Sequence, residues 1–233
     1  MKNALTVVGL VLLALIIPFF LPGTPPAGME DPNRNLPWQI TVDGQGNSEV
    51  FGLMPGRSTL ADVRQRLGND MELAIIAAPD EVGELEAYYG QVALGFVLGR
   101  LILTLDATPE TLIAMRERAL KAEHMESSTK KITLHPEDLA RAETLPVRAM
   151  GLIPNANLDE ATVLQRFGPP GERIPVGETL THLLYPHLGL DVALDTKGKE
   201  ILQYVPPRDF EARIRAPLLA ARTKADATPQ AAK

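Results

Sequence analysis

The chain has 233 residues, no cysteine and a formal net charge of −6, with 22% charged and 5% aromatic residues. The missing cysteine excludes disulfides, thiolate metal sites, thiol nucleophiles and lipid-modified cysteine. The charge gives no global sign of nucleic-acid binding, and so few aromatics argue against a large stacking surface for bases or sugars.

Residues 4–21, ALTVVGLVLLALIIPFFL, carry no charge. As a helix they span roughly 27 Å, near the lower limit for crossing a bilayer. Lys2 and the α-amino group precede them, so the positive-inside rule holds the N-terminus in the cytoplasm and sends the body across. A cleaved signal peptide is the competing reading, but its apolar core is shorter and ends in a small-x-small site. Here PGTPPAGMEDP follows, with Pro25 and Pro26 directly before Ala27. Either way the body is exported. The expectation is an anchor over 1–21 that meets the lipid bilayer through 4–21, then a Pro/Gly-rich spacer over 22–37.

WQITV (38–42) alternates like a strand, DGQGN turns, and EVFGL leads into GLMPGRSTLADVRQRLG (52–68). Ser58 or Thr59 caps a helix there, with Asp62 three residues after Thr59. Leu60, Val63 and Leu67 share its apolar face, and Gly68 stops it. MELAIIAA, ELEAYY, VALGFVL and RLILTLD follow, broken by Pro79, Gly83, Gly90 and Gly99, which predicts a small meander. Thr108 and Pro109 open another helix, whose stripe of Leu112, Ile113, Met115, Ala119 and Leu120 reads as core.

The order then begins again. KKITL (130–134) resembles WQITV, a short helix is inserted at 136–143, and VRAMGL matches EVFGL. In GLIPNANLDEATVLQRFG (151–168) Asn157 caps, Ala161, Leu164 and Phe167 face inward, and Gly168 stops the helix. ERIPV, THLLYP, LGLDVALD and EILQYVP are strands, with DTKGK as a hairpin turn whose glycine supplies a positive φ. Pro207 starts a last helix with Phe210, Ile214 and Leu218 on one side, disrupted later by Pro217. Residues 222–233 read as a disordered tail.

Ala61/Ala161, Val63/Val163, Gln65/Gln165, Arg66/Arg166 and Gly68/Gly168 match at an offset of 100, and Gly52/Gly151 and Pro55/Pro154 at 99. The pattern predicts an α+β fold made by tandem duplication of a small helix-plus-antiparallel-sheet unit, over 38–123 and 124–221, preceded by one N-terminal transmembrane helix. Two such units would pack side by side to hide a shared apolar seam.

The pattern Gly-Leu-x-Pro…Val-x-Gln-Arg-[Leu/Phe]-Gly, followed by a tyrosine strand and a hairpin, resembles the BamE-like (SmpA/OmlA) domain and the tandem β-lactamase-inhibitor proteins. RFGPPGE (166–172) and YPHLGLDVALDTKGKEILQYV carry the resemblance in the second copy; the first departs from it, with GND in place of GPP. The resemblance implies a protein-binding, envelope-assembly role without catalysis. The BamE group is anchored through a lipidated cysteine, which this chain lacks, so its outer-membrane role does not carry over.

The chemistry-bearing residues are sparse. His182 and His187 flank Tyr185 at an odd spacing that sends them to opposite faces of a continuous strand; His124 and His135 stand alone. Glu178 and His182 suggest a proton-transfer pair, but no third group fixes it and they read as surface polar residues. Ser127, Ser128 and Thr129 lack a nucleophile-elbow context, and GQVALG and GFVLG lack the Lys-Ser/Thr of a phosphate loop. No catalytic residue, cofactor or metal site is expected. Partner-binding candidates are Tyr88, Tyr89 and Tyr185, for their amphipathic contact area, and Arg64, Arg66 and Arg166 on helix faces. Gly52, Pro55, Val63, Gly68, Gly151, Pro154, Val163 and Gly168 are the structural signature of the repeat. The function expected is a membrane-anchored periplasmic binding or assembly module for an envelope or inner-membrane protein. The alternative is an accessory subunit stabilising an inner-membrane enzyme. A cleaved form would be free in the periplasm.

Overall fold

The computed structural model describes residues 31–125 and 129–227. Two short strands, β1 (Thr41–Val42) and β2 (Ser48–Glu49), pair across a turn. Helix α1 (Leu60–Leu67) begins at Thr59. Its hydroxyl accepts from Asp62 N while Asp62 Oδ2 accepts from Thr59 N at 2.8 Å, a closed capping box. Gly68 ends α1 at φ +88°. Three strands follow: β3 (Glu72–Ala77), β4 (Glu84–Leu94) and β5 (Val97–Leu105). Helix α2 (Pro109–Glu117) is capped by Thr108.

The chain continues through β6 (Lys121–His124), β7 (Lys130–Thr133), α3 (Pro136–Ala142) and β8 (Val147–Pro154). Helix α4 (Glu160–Phe167) is followed by β9 (Glu172–Val176), β10 (Leu180–Tyr185), β11 (Leu190–Asp195) and β12 (Ile201–Tyr204). A 3-10 turn (Pro207–Asp209), a π turn (Glu211–Arg215) and α5 (Ala216–Ala227) close the described chain.

Ten of these strands form one antiparallel sheet in the order β6-β7-β3-β4-β5-β8-β12-β11-β10-β9. This overturns the expected tandem of small units, each with its own sheet. The joint is β5 on β8, in one register from Gly99↔Pro154 to Thr104↔Ala149 and then shifted by one residue to Leu105↔Val147. Two separate sheets would leave the long edges of β5 and β8 with unpaired N–H and C=O groups; pairing them satisfies both. The expected transmembrane helix falls at residues 1–21, outside the described residues. Among those described, no helix is long and apolar enough to cross a membrane.

Strand alternation divides the core. Leu85, Ala87 and Tyr89 of β4, Leu101, Leu103 and Leu105 of β5, and Leu183 and Tyr185 of β10 point to one face, where Leu60, Val63, Leu112, Met115, Ala142 and Val163 of the first four helices cover them. The other face is covered near β9 and β10, where Phe210 and Ile214 pack on Ile174, Leu184 and Val205.

Several local expectations shift. Asp159, not Asn157, caps α4, accepting from Thr162 N at 2.8 Å. Val163 is the fully buried residue of α4 and Phe167 packs against the core as expected, whereas Ala161 is exposed. Ile113 and Leu120 are 46% and 62% exposed, so only part of the α2 stripe is core. Pro217 lies in the first turn of α5. It cannot donate to the carbonyl four residues back, and the wider π turn stands directly before it. Residues 222–227, expected as tail, continue α5, while 228–233 lie outside the described residues. Gly198 does not adopt a positive φ. A Cβ there would meet Asp195 Oδ2 at 2.6 Å, so a larger residue would have to turn that side chain aside.

Candidate functional site

The segment before β1 is fixed to the body by buried groups. Leu36 is buried, its N–H donates to Gln39 Oε1 at 3.0 Å, and the buried Tyr204 hydroxyl donates to Pro37 O at 3.1 Å. Burial pushes the Tyr204 phenol far above its ordinary pKa, so it remains a neutral donor. This places Trp38 beside Phe96, at the tip of the β4–β5 hairpin, with ring centroids 5.7 Å apart. The Arg166 guanidinium of α4 lies 4.3 Å over the indole, within cation–π range.

Behind these three residues opens a cavity of about 230 Å³, walled by Leu152 and Pro154 of β8, Val163 and Phe167 of α4, Leu158 and Leu202. The lining is almost wholly apolar. Phe96 is 54% exposed at its rim. Arg166 is exposed and makes no ion pair among the described residues. An apolar hollow with an aromatic rim and an uncommitted cation is built to take a side chain or other small apolar body.

The sequence candidates separate. Arg166, Pro154 and Val163 meet at this cavity. Arg64 lies 2.6 Å from Glu143 by Nε–Oε1, a charge contact outside hydrogen-bond geometry, and its Nη1 donates to Asn69 at 3.3 Å. Arg66 Nε donates to Phe51 O at 3.1 Å. Tyr89 and Tyr185 are in the core, where their hydroxyls donate to Gly68 O at 2.7 Å and Gly168 O at 3.0 Å. Burial raises both phenols, which keeps them donors. Tyr88 is half-buried on the opposite face of the sheet, across from Glu72 and Ile102. Gly52 has φ +75°, Pro55 and Val63 are buried, and Gly151 pairs with Ile102 and Gln203 within the sheet.

His182 is the histidine with a built environment. Its Nδ1 lies 2.8 Å from Asp191 Oδ2, and the two residues are 7% and 1% exposed. Gln203 Nε2 also donates to that oxygen, at 3.3 Å, while Asp191 Oδ1 has no partner. Burial raises the Asp191 carboxyl, and the bond from His182 opposes it. Glu178 stands exposed in the preceding turn, as a surface polar residue. No Ser or Thr hydroxyl is bonded to His182 among the described residues. No group of three or more His, Asp or Glu among the described residues is placed to hold a metal.

Sequence reasoning missed Trp38 and Phe96, and read His182 as a surface polar residue where the structure buries it against Asp191. The signal for the second was present: Asp191 interrupts the apolar strand LGLDVALD. No family model, curated protein or solved structure matches this chain.

Proposed function

We propose that this chain is a non-catalytic binding or assembly module of a bacterial envelope complex, and that it seats an apolar side chain of its protein partner in the Trp38–Phe96–Arg166 cavity. The carrying observation is the cavity itself: apolar walls, an exposed phenylalanine at the lip, and a stacked arginine with no carboxylate partner among the described residues. Trp and Arg are the residue types that dominate interface energetics when they line a desolvated pocket. Filling such a hollow with one Leu- or Phe-sized side chain contributes about 1.5–3 kcal/mol. The uncharged run at 4–21, whether kept or cleaved, supports export of the body to the periplasm.

The test is a photo-crosslinking residue at position 96 in cells, with mass spectrometry of the adducts. A defined envelope protein is expected at position 96 and not at the exposed turn residue Gly177. Phe96→Glu should abolish its co-purification while circular dichroism stays native. Equal labelling at both positions, or a partner retained by Phe96→Glu, overturns the assignment.

A further inference from the structure

A second hollow, of about 410 Å³, lies on the other side of the 157–158 loop. Four acidic residues line it, Asp159, Glu160, Asp195 and Glu200, together with Thr181, Leu158 and Leu194. The first three have work in the fold. Asp159 caps α4, Glu160 is paired with Arg173, and Asp195 Oδ1 accepts from Lys197 N at 3.0 Å. Hydrogen bonds from Thr162 hold Asp159 below the ordinary carboxylate range, and that from Lys197 N does the same for Asp195, so both are charged at neutral pH.

Glu200 is different. It is only 8% exposed, and among the described residues it makes no hydrogen bond or ion pair and its Oε2 is buried without a donor. An ionised carboxylate in that state is costly unless a donor arrives. The neighbouring lysine does not supply one: Lys199 Nζ is tied to Asn157 Oδ1 at 3.0 Å. A Glu carboxylate turns readily about its last torsion, so either oxygen can be offered to the cleft.

The carboxylates are not grouped closely enough to hold a metal. The cleft is instead wide, with apolar surface from Leu158 and Leu194 beside its acceptors. That suits a cation carrying a hydrocarbon stem, whose methylenes lie on the leucines while its N–H groups reach the acid. We propose that this cleft binds an alkyl ammonium or guanidinium group, with Glu200 as the principal acceptor and Asp195 as a second charge. The same chemistry is offered by a free polyamine or by a Lys or Arg side chain of a protein.

Isothermal titration of the full-length protein at low ionic strength tests this. The probes are agmatine, spermidine, the capped amides of arginine and lysine, and calcium chloride alone. Saturable binding of at least one organic cation is expected, weakened tenfold or more by Glu200→Gln and less by Asp195→Asn. Thermal unfolding run in parallel confirms that each variant folds. Arg173→Gln frees Glu160 and should tighten binding, a gain that misfolding cannot imitate. Binding by the free amines only assigns a small-molecule source, and binding by the capped amides only assigns a protein side chain. The proposal is overturned by no saturable binding of any organic cation, by unchanged affinity in Glu200→Gln, or by calcium displacing the amine. Phe96→Glu should leave the cation affinity unchanged, so this cleft and the apolar cavity fail or stand separately.

Discussion

The β5–β8 joint can be tested with Leu103→Ala. Leu103 is fully buried, it stands opposite Met150 of β8, and it faces the helices. Truncation loses the transfer free energy of its outer carbons and leaves a cavity that a regular sheet cannot collapse around, so about 3 kcal/mol is expected within a 2–5 kcal/mol range. For a body of this size each kcal/mol lowers Tm by about 2–4 °C, which gives a fall of roughly 6–12 °C. The informative readout is where that loss appears. Because β5 and β8 belong to one ladder, amide exchange protection should fall by the same free energy at Ile75 and Leu85 on one side and at Leu183 and Val192 on the other. Trp38 fluorescence, reporting on the α4 side, should show a single transition coincident with circular dichroism. If β3–β5 lose protection while β9–β12 keep the wild-type value, the two halves unfold independently and the joint is not what couples them.

Three further outcomes follow from single sites. Burial raises the Asp191 carboxyl, so the native state holds its proton above the unfolded value near 4; its favourable contribution is complete below that value and is lost as pH rises through the raised one. The stability of wild type minus that of Asp191→Asn, measured by urea unfolding, should therefore fall with rising pH across this window, and a difference that rises refutes the sign. Tyr185→Phe leaves the Gly168 carbonyl without its donor and should cost about 1 kcal/mol by chemical denaturation; no change would mean that the carbonyl is already hydrated. Gly189→Ala places a Cβ 2.0 Å from Val205 O at φ +70°, whereas Gly177→Ala meets open space at φ +64°. The second should cost about 1–2 kcal/mol from backbone conformation alone, and the first clearly more; equal losses in thermal unfolding would remove the steric argument.

Local signals in the sequence carried the elements well. Thr59 with Asp62, and Thr108 with Pro109, mark helix starts because capping is settled within four residues. Gly68 and Gly168 mark helix ends for the same reason. What escaped is non-local. The run 97–105 reads in the sequence as broken at Gly99, where the structure carries one strand through, and nothing in the run says whether its free edge meets solvent, a second copy or β8. Tyr88 and Tyr89 are chemically alike, and only strand parity puts one in the core and the other on the far face. The cavity needs Trp38, Phe96 and Arg166, three residues spread over more than half the chain, and each alone reads as an ordinary surface side chain. Asp191 and His182 were visible as polar intrusions in apolar strands, but their pairing depends on the β10–β11 register, which sets Leu184 opposite Asp191 and leaves His182 diagonal to it.

The two hollows share the 157–158 loop as a wall, yet the forces they offer differ, and ionic strength separates them. Contact in the apolar cavity depends on area removed from water and is little affected by screening. Attraction of a cation to a cleft with Asp159, Asp195 and Glu200 on a chain of net charge −6 is electrostatic. It should weaken steeply as the Debye length contracts from about 10 Å at 0.1 M salt to about 3 Å at 1 M. A partner that uses the cavity alone keeps its affinity across that range and loses it to Phe96→Glu. A partner that also places a lysine or arginine in the cleft shows a salt dependence that Glu200→Gln reduces. Surface plasmon resonance of wild type and both variants against the crosslinked partner, at low and high salt, reads this directly. A salt dependence untouched by Glu200→Gln would show that the partner's charge is felt elsewhere on the body and that the cleft lies outside the interface.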